Sequence, residues 1–340
     1  MSGANGEDGS GKASSMSAGD AGDASDVGNV GNAAIASEAG ALDPVSDRLA
    51  GPPAKGAEAP DLRRWIGRSE TLHDEVGPTP VAALNATLDH APIAVVTGTA
   101  LLPLWHWLYF LPLPRASETG VDGHPKRGGF LPPVALPRRM WAGGQLEFRT
   151  AIRIGDAIVR TSTIDDVTTK DGRSGRLVFV KVRHEVRCNG AAEAALVEFH
   201  DIVYREAQRP GDAAPPPQPA PAGALWQREI VPDPVLLFRY SALTFNGHRI
   251  HYDRSYVTGV EGYPGLVVHG PLIATLLLDL LRRERPEAEV AAFRFKALRP
   301  TFDGRPMQVH GAPADDGRSL RLWATDHEGW LTMDATATLR

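Results

Sequence analysis

The sequence predicts an α+β protein in which two similar units follow an unstructured tail. In each unit a helix is predicted to precede four antiparallel strands. The strands are predicted because runs rich in β-branched residues alternate with turns that contain Gly, Asn or Asp. A proline-rich segment separates the units, with six prolines between Pro210 and Pro221. Hydrophobic residues make up 42% and charged residues 23% of the 340 residues, as is typical of a soluble globular protein.

The N-terminal segment has a composition that does not support folding. Residues 1–59 consist mainly of Gly, Ala, Ser, Asp and Asn, and they contain no aromatic residue. Such a segment cannot bury enough apolar surface to offset the entropy lost on ordering. We therefore predict a disordered tail over 1–59, an N-terminal domain over 60–207, a proline-rich linker over 208–225 and a C-terminal domain over 226–340.

In the N-terminal domain the helix signals come first. Ser69 is a candidate helix cap, and residues 78–89 combine a first-turn proline with apolar residues at helical spacing. Residues 101–114 (LLPLWHWLYFLPLP) are too interrupted by proline for a helix and too apolar for an exposed loop. They are expected to pack in the core or to line a pocket. Strands are predicted at 145–154, 156–165, 176–187 and 195–204, with hairpin turns at Gly155-Asp156, Asp171-Gly172 and Asn189-Gly190.

The C-terminal domain repeats this plan. An apolar helix is predicted over 270–283, and its apolar run is too short to cross a membrane. Two such units can join edge to edge or side by side. The predicted strands are 290–298, 306–312, 319–325 and 330–339.

Charge and cysteine content exclude several function classes. The net charge is −5, but residues 1–60 carry nine acidic and three basic residues, which leaves the rest close to neutral. No basic field therefore indicates nucleic acid. The single cysteine, Cys188, excludes an intramolecular disulfide and a cysteine-rich metal site. With neither a membrane-length apolar run nor a secretory signal pattern, we predict a cytoplasmic protein without a membrane partner.

The candidate chemistry lies in the polar loop FNGHRIHYD, residues 245–253. His251 can titrate near neutral pH and move a proton. Asn246 can orient a water or a carbonyl but cannot act as a base. Arg249 offers a donor fork for phosphate or carboxylate. Structural histidines in a polar loop are the alternative, but five functional groups within eight residues favour catalysis.

A His-Gly pair, His269-Gly270, precedes the apolar helix. Pro271 suits the first helical turn and leaves the Gly270 N–H at the positive end of the helix dipole. Such a donor stabilises a developing oxyanion by several kcal/mol when it is well placed. Taken alone, a buried helix behind a glycine turn is the better interpretation; the neighbouring loop favours a catalytic one.

The loop and the helix start resemble the MaoC-like, type 2 enoyl-CoA hydratase and hydroxyacyl-thioester dehydratase families. Their loop pattern is G-D-x-N-P-x-H, and His251 matches its His. Asn246 stands at the Asp position, His248 at the Asn and Arg249 at the Pro. The Gly of the family's later H-G segment matches Gly270. The resemblance implies a double hot-dog fold, in which antiparallel sheets wrap long helices.

The segment YSALTFNGHRIHYD, together with the segments WHWLYF, DGHP and LPRRMWAGG, is similar to the sequences of one branch of these proteins. That branch includes mitochondrial-type 3-hydroxyacyl-thioester dehydratases and bacterial mesaconyl-C4-CoA and itaconyl-CoA hydratases, and asparagine is usual there at the position of Asn246. The resemblance covers about residues 60–340. It implies a hydro-lyase that reversibly hydrates an enoyl-CoA thioester, with a dicarboxylic acyl group such as mesaconyl or itaconyl.

The resemblance also implies the roles of individual residues. Neither a cofactor nor a metal is expected, because water adds across the α,β double bond and the charge to be stabilised develops on the polarised thioester oxygen. Asp122 and His124 form a second candidate acid–base pair, although a turn-forming role is favoured. Arg138 and Arg139 suit either CoA phosphates or a solvated sheet edge. The implied catalytic residues are His251, Asn246 and Gly270, and the implied substrate-binding residues are Arg249, His248, Tyr240 and His269.

Two alternatives stay open. A hot-dog acyl-CoA thioesterase needs a carboxylate near the central helix, and Asp279 lies about two and a half turns into it, too deep for that role. A non-catalytic acyl-CoA-binding protein is the second alternative, because the loop lacks its Asp. Hot dogs commonly pair their sheets; a fused pair makes that contact within one chain, and further assembly into a homo-oligomer is left open.

Overall fold

The computed structural model describes residues 61–172, 175–206 and 216–340. The predicted tail and part of the predicted linker lie outside these ranges. Below, the described residues up to 206 are called the N-terminal half and those from 216 the C-terminal half. Their status as separate domains stays a prediction.

Ten antiparallel strands form one sheet in the order β1-β3-β4-β5-β2-β7-β10-β9-β8-β6. Each half therefore contributes five strands in the same relative order, and the halves meet edge to edge at β2 and β7. The strands of the N-terminal half are β1 (Ser69–Glu75), β2 (Arg138–Phe148), β3 (Ala157–Gly172), β4 (Gly175–Cys188) and β5 (Leu196–Arg205). Those of the C-terminal half are β6 (Trp226–Ile230), β7 (Val290–Ala297), β8 (Met307–Pro313), β9 (Ser319–Thr325) and β10 (Leu331–Leu339).

The helices are distributed unequally between the halves. The N-terminal half holds α1 (Pro78–Thr87), whereas the C-terminal half holds α2 (Pro234–Leu243), α3 (Arg254–Gly259) and the long α4 (Gly270–Glu284). Every residue of α4 from Leu272 to Leu281 is buried, as expected for a helix wrapped by a sheet. It packs on β6, β8, β9 and β10, while α1 packs on α2. No helix of the described residues is long and apolar enough to cross a membrane.

Two glycines allow β2 and β7 to approach each other. A Cβ on Gly143 would lie 2.6 Å from the carbonyl oxygen of Phe295, and one on Gly144 would lie 2.9 Å from its ring. Trp141 and Trp107 pack edge-on against the same ring, with centroids 5.6 and 6.3 Å away. The aromatic and glycine residues of WHWLYF and RRMWAGG thus build the junction between the halves.

Several sequence predictions differ from the structure. Ser69 does not cap a helix, because it begins β1, an edge strand paired only with β3. This strand is mostly exposed and lacks apolar alternation, which is why its sequence does not show a strand. The short edge strand β6 and the helix α2 are both absent from the sequence predictions. The aromatic stretch 101–114 forms a 3₁₀ turn, Trp105–Leu108, most of whose side chains are buried.

Candidate active site

His251 lies in a 3₁₀ turn, Arg249–His251, and its side chain is almost entirely buried. Its Nδ1 lies 2.7 Å from the carbonyl oxygen of Val267. Because a carbonyl only accepts, Nδ1 carries the proton and Nε2 presents the basic lone pair. Burial lowers the pKa of His251 to about 4, although the bond to Val267 opposes this shift. The imidazole is therefore neutral at pH 7, the form that accepts a proton.

A second histidine supports His251 from behind. The rings of His269 and His251 are stacked, with centroids 3.7 Å apart and an interplanar angle of 18°. His269 is fully buried, and its Nε2 lies 2.8 Å from the hydroxyl oxygen of Ser241. Burial lowers the pKa of His269 well below its ordinary value, with the neighbouring His251 adding to the effect. The edge of the buried Tyr240 ring also contacts His269. Tyr240 and His269 therefore support His251 from the interior of the protein.

Asn246 shapes the loop through its own side chain. Its Oδ1 accepts a hydrogen bond from the His248 backbone N–H at 3.1 Å, which closes an Asx turn. Its backbone N–H donates to the Ser241 carbonyl at the end of α2, at 2.8 Å. The amide nitrogen of the side chain still offers two donors. Asn246 can therefore hold a water or a carbonyl, as predicted from its chemistry.

Arg249 is engaged within the protein. Its Nε and Nη2 donate to one carboxylate oxygen of Asp253 at 3.0 and 2.7 Å, and its Nη1 donates to the Val121 carbonyl at 3.0 Å. The guanidinium also covers the ring of Tyr256, 4.1 Å from its centroid. This geometry locks the loop in place and leaves Arg249 poorly placed for a substrate carboxylate.

A loop of the N-terminal half completes the site. The backbone N–H of Arg249 donates to the carbonyl of Asp122 at 2.9 Å. Gly123 has φ +85°, and a Cβ there would lie 1.8 Å from the carbonyl oxygen of Gly247. Only glycine fits such an approach in the left-handed region. The DGHP motif is therefore a turn, as favoured from the sequence, and the turn also faces the polar loop 245–253, the candidate catalytic loop.

Asp122 and His124 meet His248 at this contact. Nδ1 of His124 lies 3.0 Å from one Asp122 carboxylate oxygen, and the other oxygen accepts the His124 backbone N–H. The rings of His124 and His248 have centroids 3.9 Å apart, and those of His248 and His251 are 5.4 Å apart. Burial chiefly lowers the pKa of His248, to about 2, with His124 and His251 adding to the effect. The three histidines therefore form one continuous cluster.

Among the described residues, Asp122, His124 and His248 form the one group of side chains that could hold a metal ion. Ligand atoms of Asp122, His124 and His248 lie within 4.8 Å of one another, and a carboxylate with two imidazoles suits a divalent transition metal. In this structure, however, Asp122 and His124 use their facing atoms on each other.

Gly270 begins α4, with His269 as its N-cap. The N–H groups of the first turn lack intrahelical acceptors and lie at the positive end of the helix. Apart from its two chain neighbours and the backbone of its own helix, no described residue has a heavy atom within 4 Å of the place where a Gly270 Cβ would stand. The start of α4 is thus open on one side, as an oxyanion site requires.

Two supporting groups are absent from the sequence predictions. Ser241 holds His269, and the Val267 carbonyl sets the tautomer of His251. Neither had a detectable signal, because a serine inside a helix and a backbone carbonyl have no characteristic pattern. Asp122 and His124 did have one, since the sequence already singled them out as an acid–base pair.

The chain is similar in sequence to known proteins. The sequence profile of the family described as hydroxyacyl-thioester dehydratase type 2 matches residues 104–303, which include the cluster and Gly270. The mesaconyl-C(4)-CoA hydratase of Chloroflexus aurantiacus is 43% identical over 284 residues, which cover 82% of this chain and 98% of that protein. The mitochondrial hydroxyacyl-thioester dehydratase type 2 of Schizosaccharomyces pombe is 27% identical over 269 residues, covering 70% and 88%.

Solved structures show the same architecture. HtdX of Mycobacterium tuberculosis superposes with a TM-score of 0.53 at 16% identity, covering 79% of this chain and 99% of that one. A MaoC-like dehydratase from Phytophthora capsici gives 0.55 at 13% identity, covering 81% and 96%. At these identities the likeness concerns the fold alone, and it confirms the predicted double hot dog. The chain therefore belongs to the hydroxyacyl-thioester dehydratase type 2 family, and it is a hydro-lyase that hydrates or dehydrates acyl thioesters, as its sequence predicts.

Proposed function

We propose that the protein reversibly hydrates an enoyl-CoA thioester with a branched dicarboxylic acyl group, mesaconyl first and itaconyl as the closest alternative. The similarity to mesaconyl-C(4)-CoA hydratase over nearly its whole length supports this substrate class. One structural observation carries the reaction: neutral His251, with its lone pair on Nε2, lies in the same site as the open N-terminus of α4.

In the hydration direction His251 accepts a proton from water while the water oxygen bonds to the β-carbon. The π-electrons move toward the thioester oxygen, where the Gly270 N–H stabilises the developing negative charge. Asn246 orients the water through its amide. The α-carbon takes up a proton from the site and His251 gives its proton back to solvent, which completes the addition of one water.

The remaining predicted site residues receive supporting roles in this proposal. Tyr240 and His269 hold His251 from behind, and Arg249 locks the catalytic loop. His248 contacts His251 and is partly exposed, so it is the member of this set that faces the substrate.

Arg138 and Arg139 differ in their suitability for a substrate anion. Arg138 already pairs with Glu261 at 3.2 Å and with the Tyr263 hydroxyl at 3.1 Å. Arg139 makes no ion pair with any residue that the structure describes, and its charge acts on both His124 and His248. We assign to Arg139 the contact with a phosphate or with the distal carboxylate.

The thioesterase alternative lacks an available carboxylate on the helix. Asp279 is buried, and one of its oxygens lies 2.8 Å from both Arg228 and Arg283, while the other bonds to His90. Three cationic or hydrogen-bonding partners hold it as a structural ion pair. The second alternative is a non-catalytic binding protein, which does not need a basic atom in its site. Here the hydrogen bond to the Val267 carbonyl leaves the basic lone pair of His251 on Nε2.

A panel of crotonyl-, mesaconyl-C4- and itaconyl-CoA, followed by loss of the conjugated-thioester absorbance, tests the proposal. We expect the mesaconyl thioester to react fastest and His251→Ala to lower kcat by about 10²- to 10⁴-fold. His73→Ala, on the exposed face of β1, is the matched control. Undiminished hydration by His251→Ala would refute the mechanism, and release of free thiol would favour the thioesterase.

The predicted cytoplasmic location and homo-oligomer remain predictions. The sheet pairing that hot dogs commonly make between chains occurs here within one chain, between β2 and β7. Size-exclusion chromatography with light scattering measures whether further chains assemble around this pair.

A further inference from the structure

In the polar loop 245–253, His251 is the basic residue of the proposed mechanism. The other imidazole, His248, is kept neutral because burial, with His124 and His251, lowers its pKa to about 2, and Asp253 is paired with Arg249. An amide at position 246 neither accepts nor donates a proton as an acid or base. His251 can take the proton from water, but the α-carbon also exchanges a proton. Outside this loop, His269 stacks on His251 but is fully buried, whereas Asp122 and His124 of the turn at 122–124 in the N-terminal half contact the loop and are partly exposed.

We propose that His124 is the catalytic acid–base group for the α-carbon, with Asp122 as the residue that positions it. This proposal rests on the hydratase function proposed above. The active site is then shared between the halves: His251 handles the oxygen at the β-carbon, and His124 handles the hydrogen at the α-carbon. Asn246 retains only the orienting role.

The hydrogen bond to Asp122 sets the tautomer of His124. Because a carboxylate only accepts, the bond from Nδ1 at 3.0 Å places the proton of neutral His124 on Nδ1 and the lone pair on Nε2. The second Asp122 oxygen accepts the His124 backbone N–H at 3.0 Å, so the carboxylate and the imidazole are held as one rigid unit. A carboxylate that orients an imidazole and stabilises its cation is the arrangement of many general bases.

The position of this unit relative to His251 is fixed by backbone contacts. The Asp122 carbonyl accepts the Arg249 N–H, and Arg249 also donates to the Val121 carbonyl. The rings of His124 and His251 both neighbour the ring of His248. About a fifth of the His124 side chain is exposed, so the ring is accessible from the open side of the site.

The charged groups around His124 come from several elements. Burial chiefly lowers the pKa of His124, and Arg139 and Arg127 lower it further, while Asp122 on its own turn opposes this shift. His248 and His251 of the C-terminal half face it across the cluster.

In hydration, protonated His124 gives its Nε2 proton to the α-carbon as His251 accepts the proton of the attacking water. The C–O bond forms at the β-carbon, and the electron pair of the double bond forms the new C–H bond. His124 and His251 together carry one extra proton before the step, on His124, and after it, on His251. That proton returns from His251 to His124 through solvent. In dehydration neutral His124 removes the α-proton, and protonated His251 releases the hydroxyl as water.

Exchange of the α-proton in D₂O separates this role from that of His251. With the 3-hydroxyacyl product as substrate, His251→Ala should still exchange the α-proton for deuterium while dehydration is lost. His124→Gln should lose both, with kcat lowered by about 10²- to 10⁴-fold. His73→Gln serves as the control, and thermal unfolding checks that each variant is folded.

Asp122→Asn provides a second, isosteric variant that keeps the carbonyl contact to Arg249. We expect kcat to fall at least about tenfold, the alkaline limb of the pH–rate profile to shift, and KM to change little. Adding Asn246→Asp should restore part of kcat, because it returns a carboxylate to the loop.

The outcomes discriminate between the two proposals. If the wild-type protein hydrates none of the thioesters, the proposed function fails. If the wild-type protein is active and His124→Gln exchanges the α-proton as fast, only the role of His124 is overturned. Loss of kcat in Asp122→Asn with an unchanged pH profile and no rescue by Asn246→Asp would likewise overturn it, and would leave the turn a structural support.

Discussion

Gly123 and Gly247 contact each other reciprocally across the two halves of the protein. A Cβ on Gly123 would lie 1.8 Å from the carbonyl oxygen of Gly247, and a Cβ on Gly247 would lie 2.9 Å from the carbonyl oxygen of Gly123. This contact brings Asp122 and His124 against the catalytic loop. The site of this family member therefore depends on how the halves pack as well as on its loop sequence.

Gly123→Ala is expected to damage both stability and activity. The left-handed φ alone costs about 1 kcal/mol, and the collision with a carbonyl oxygen forces the two loops apart. Gly128→Ala is a matched control, since Gly128 has φ +96° with no atom within 4 Å of its Cβ position. Urea midpoints and kcat measured on both variants isolate the contact. Equal effects of the two substitutions would show that the loop contact contributes nothing.

Gly270→Ala is expected to lower activity without lowering stability. Apart from its chain neighbours and its own helix backbone, no described residue lies within 4 Å of the Cβ position, and alanine has a higher helix propensity than glycine. The methyl group, however, would occupy space at the proposed oxyanion site, and we expect kcat to fall by about 10²-fold or more. Gly259→Ala, with equally open surroundings at the end of α3, is the control. An unchanged kcat would remove Gly270 from the site.

The pH dependence of kcat/KM should show an acid limb far below the ordinary range of histidine. Burial lowers the pKa of His251 to about 4, so the neutral base persists as pH falls from 7 through the ordinary value near 6.5. We expect the acid limb for hydration to lie near pH 4. Initial rates after a rapid pH shift avoid unfolding during the assay. A limb centred near 6.5 would indicate that the base is exposed or is another histidine.

Asp279→Ala should affect stability and leave catalysis unchanged. Removing the carboxylate leaves Arg228 and Arg283 without their buried partner, but both keep contact with water. We therefore expect a loss of about 2 kcal/mol, below the cost for a fully buried pair. Asp334→Ala, which removes an exposed pair with Arg321, is the control and should cost less than about 1 kcal/mol. A kcat lowered per folded molecule would revive the thioesterase alternative.

Removal of metal ions should leave activity unchanged. Asp122 and His124 are hydrogen-bonded to each other, and the proposed reaction uses only proton transfers and backbone donors. Rates before and after dialysis against EDTA, with elemental analysis of the protein, check this. Activity lost on dialysis and restored by Zn²⁺ or Mn²⁺ would instead assign a metal to the Asp122–His124–His248 cluster.

Much of the fold was predictable because its signals are local. The α4 helix has a continuous apolar run with Pro271 in its first turn, and the predicted bounds of β9 agree with the structure. The edge strands β1 and β6 have a weaker alternation of apolar and polar residues because many of their side chains face solvent. Both are therefore absent from the sequence predictions. Whether such a segment forms a strand depends on the strand with which it pairs, and that strand lies far away in the sequence.

The sequence by itself determined the family, the sheet-and-helix plan and the candidate roles of His251, Asn246 and Gly270, because these residues lie within one short stretch. The tertiary structure alone decided which neighbours act on them. Pairing of β2 with β7 brings Val121 to Arg249, 128 positions apart, and with it His124 to His248. Local patterns carry no information about such a contact, since it depends on how two strand edges and two loops fit together in space.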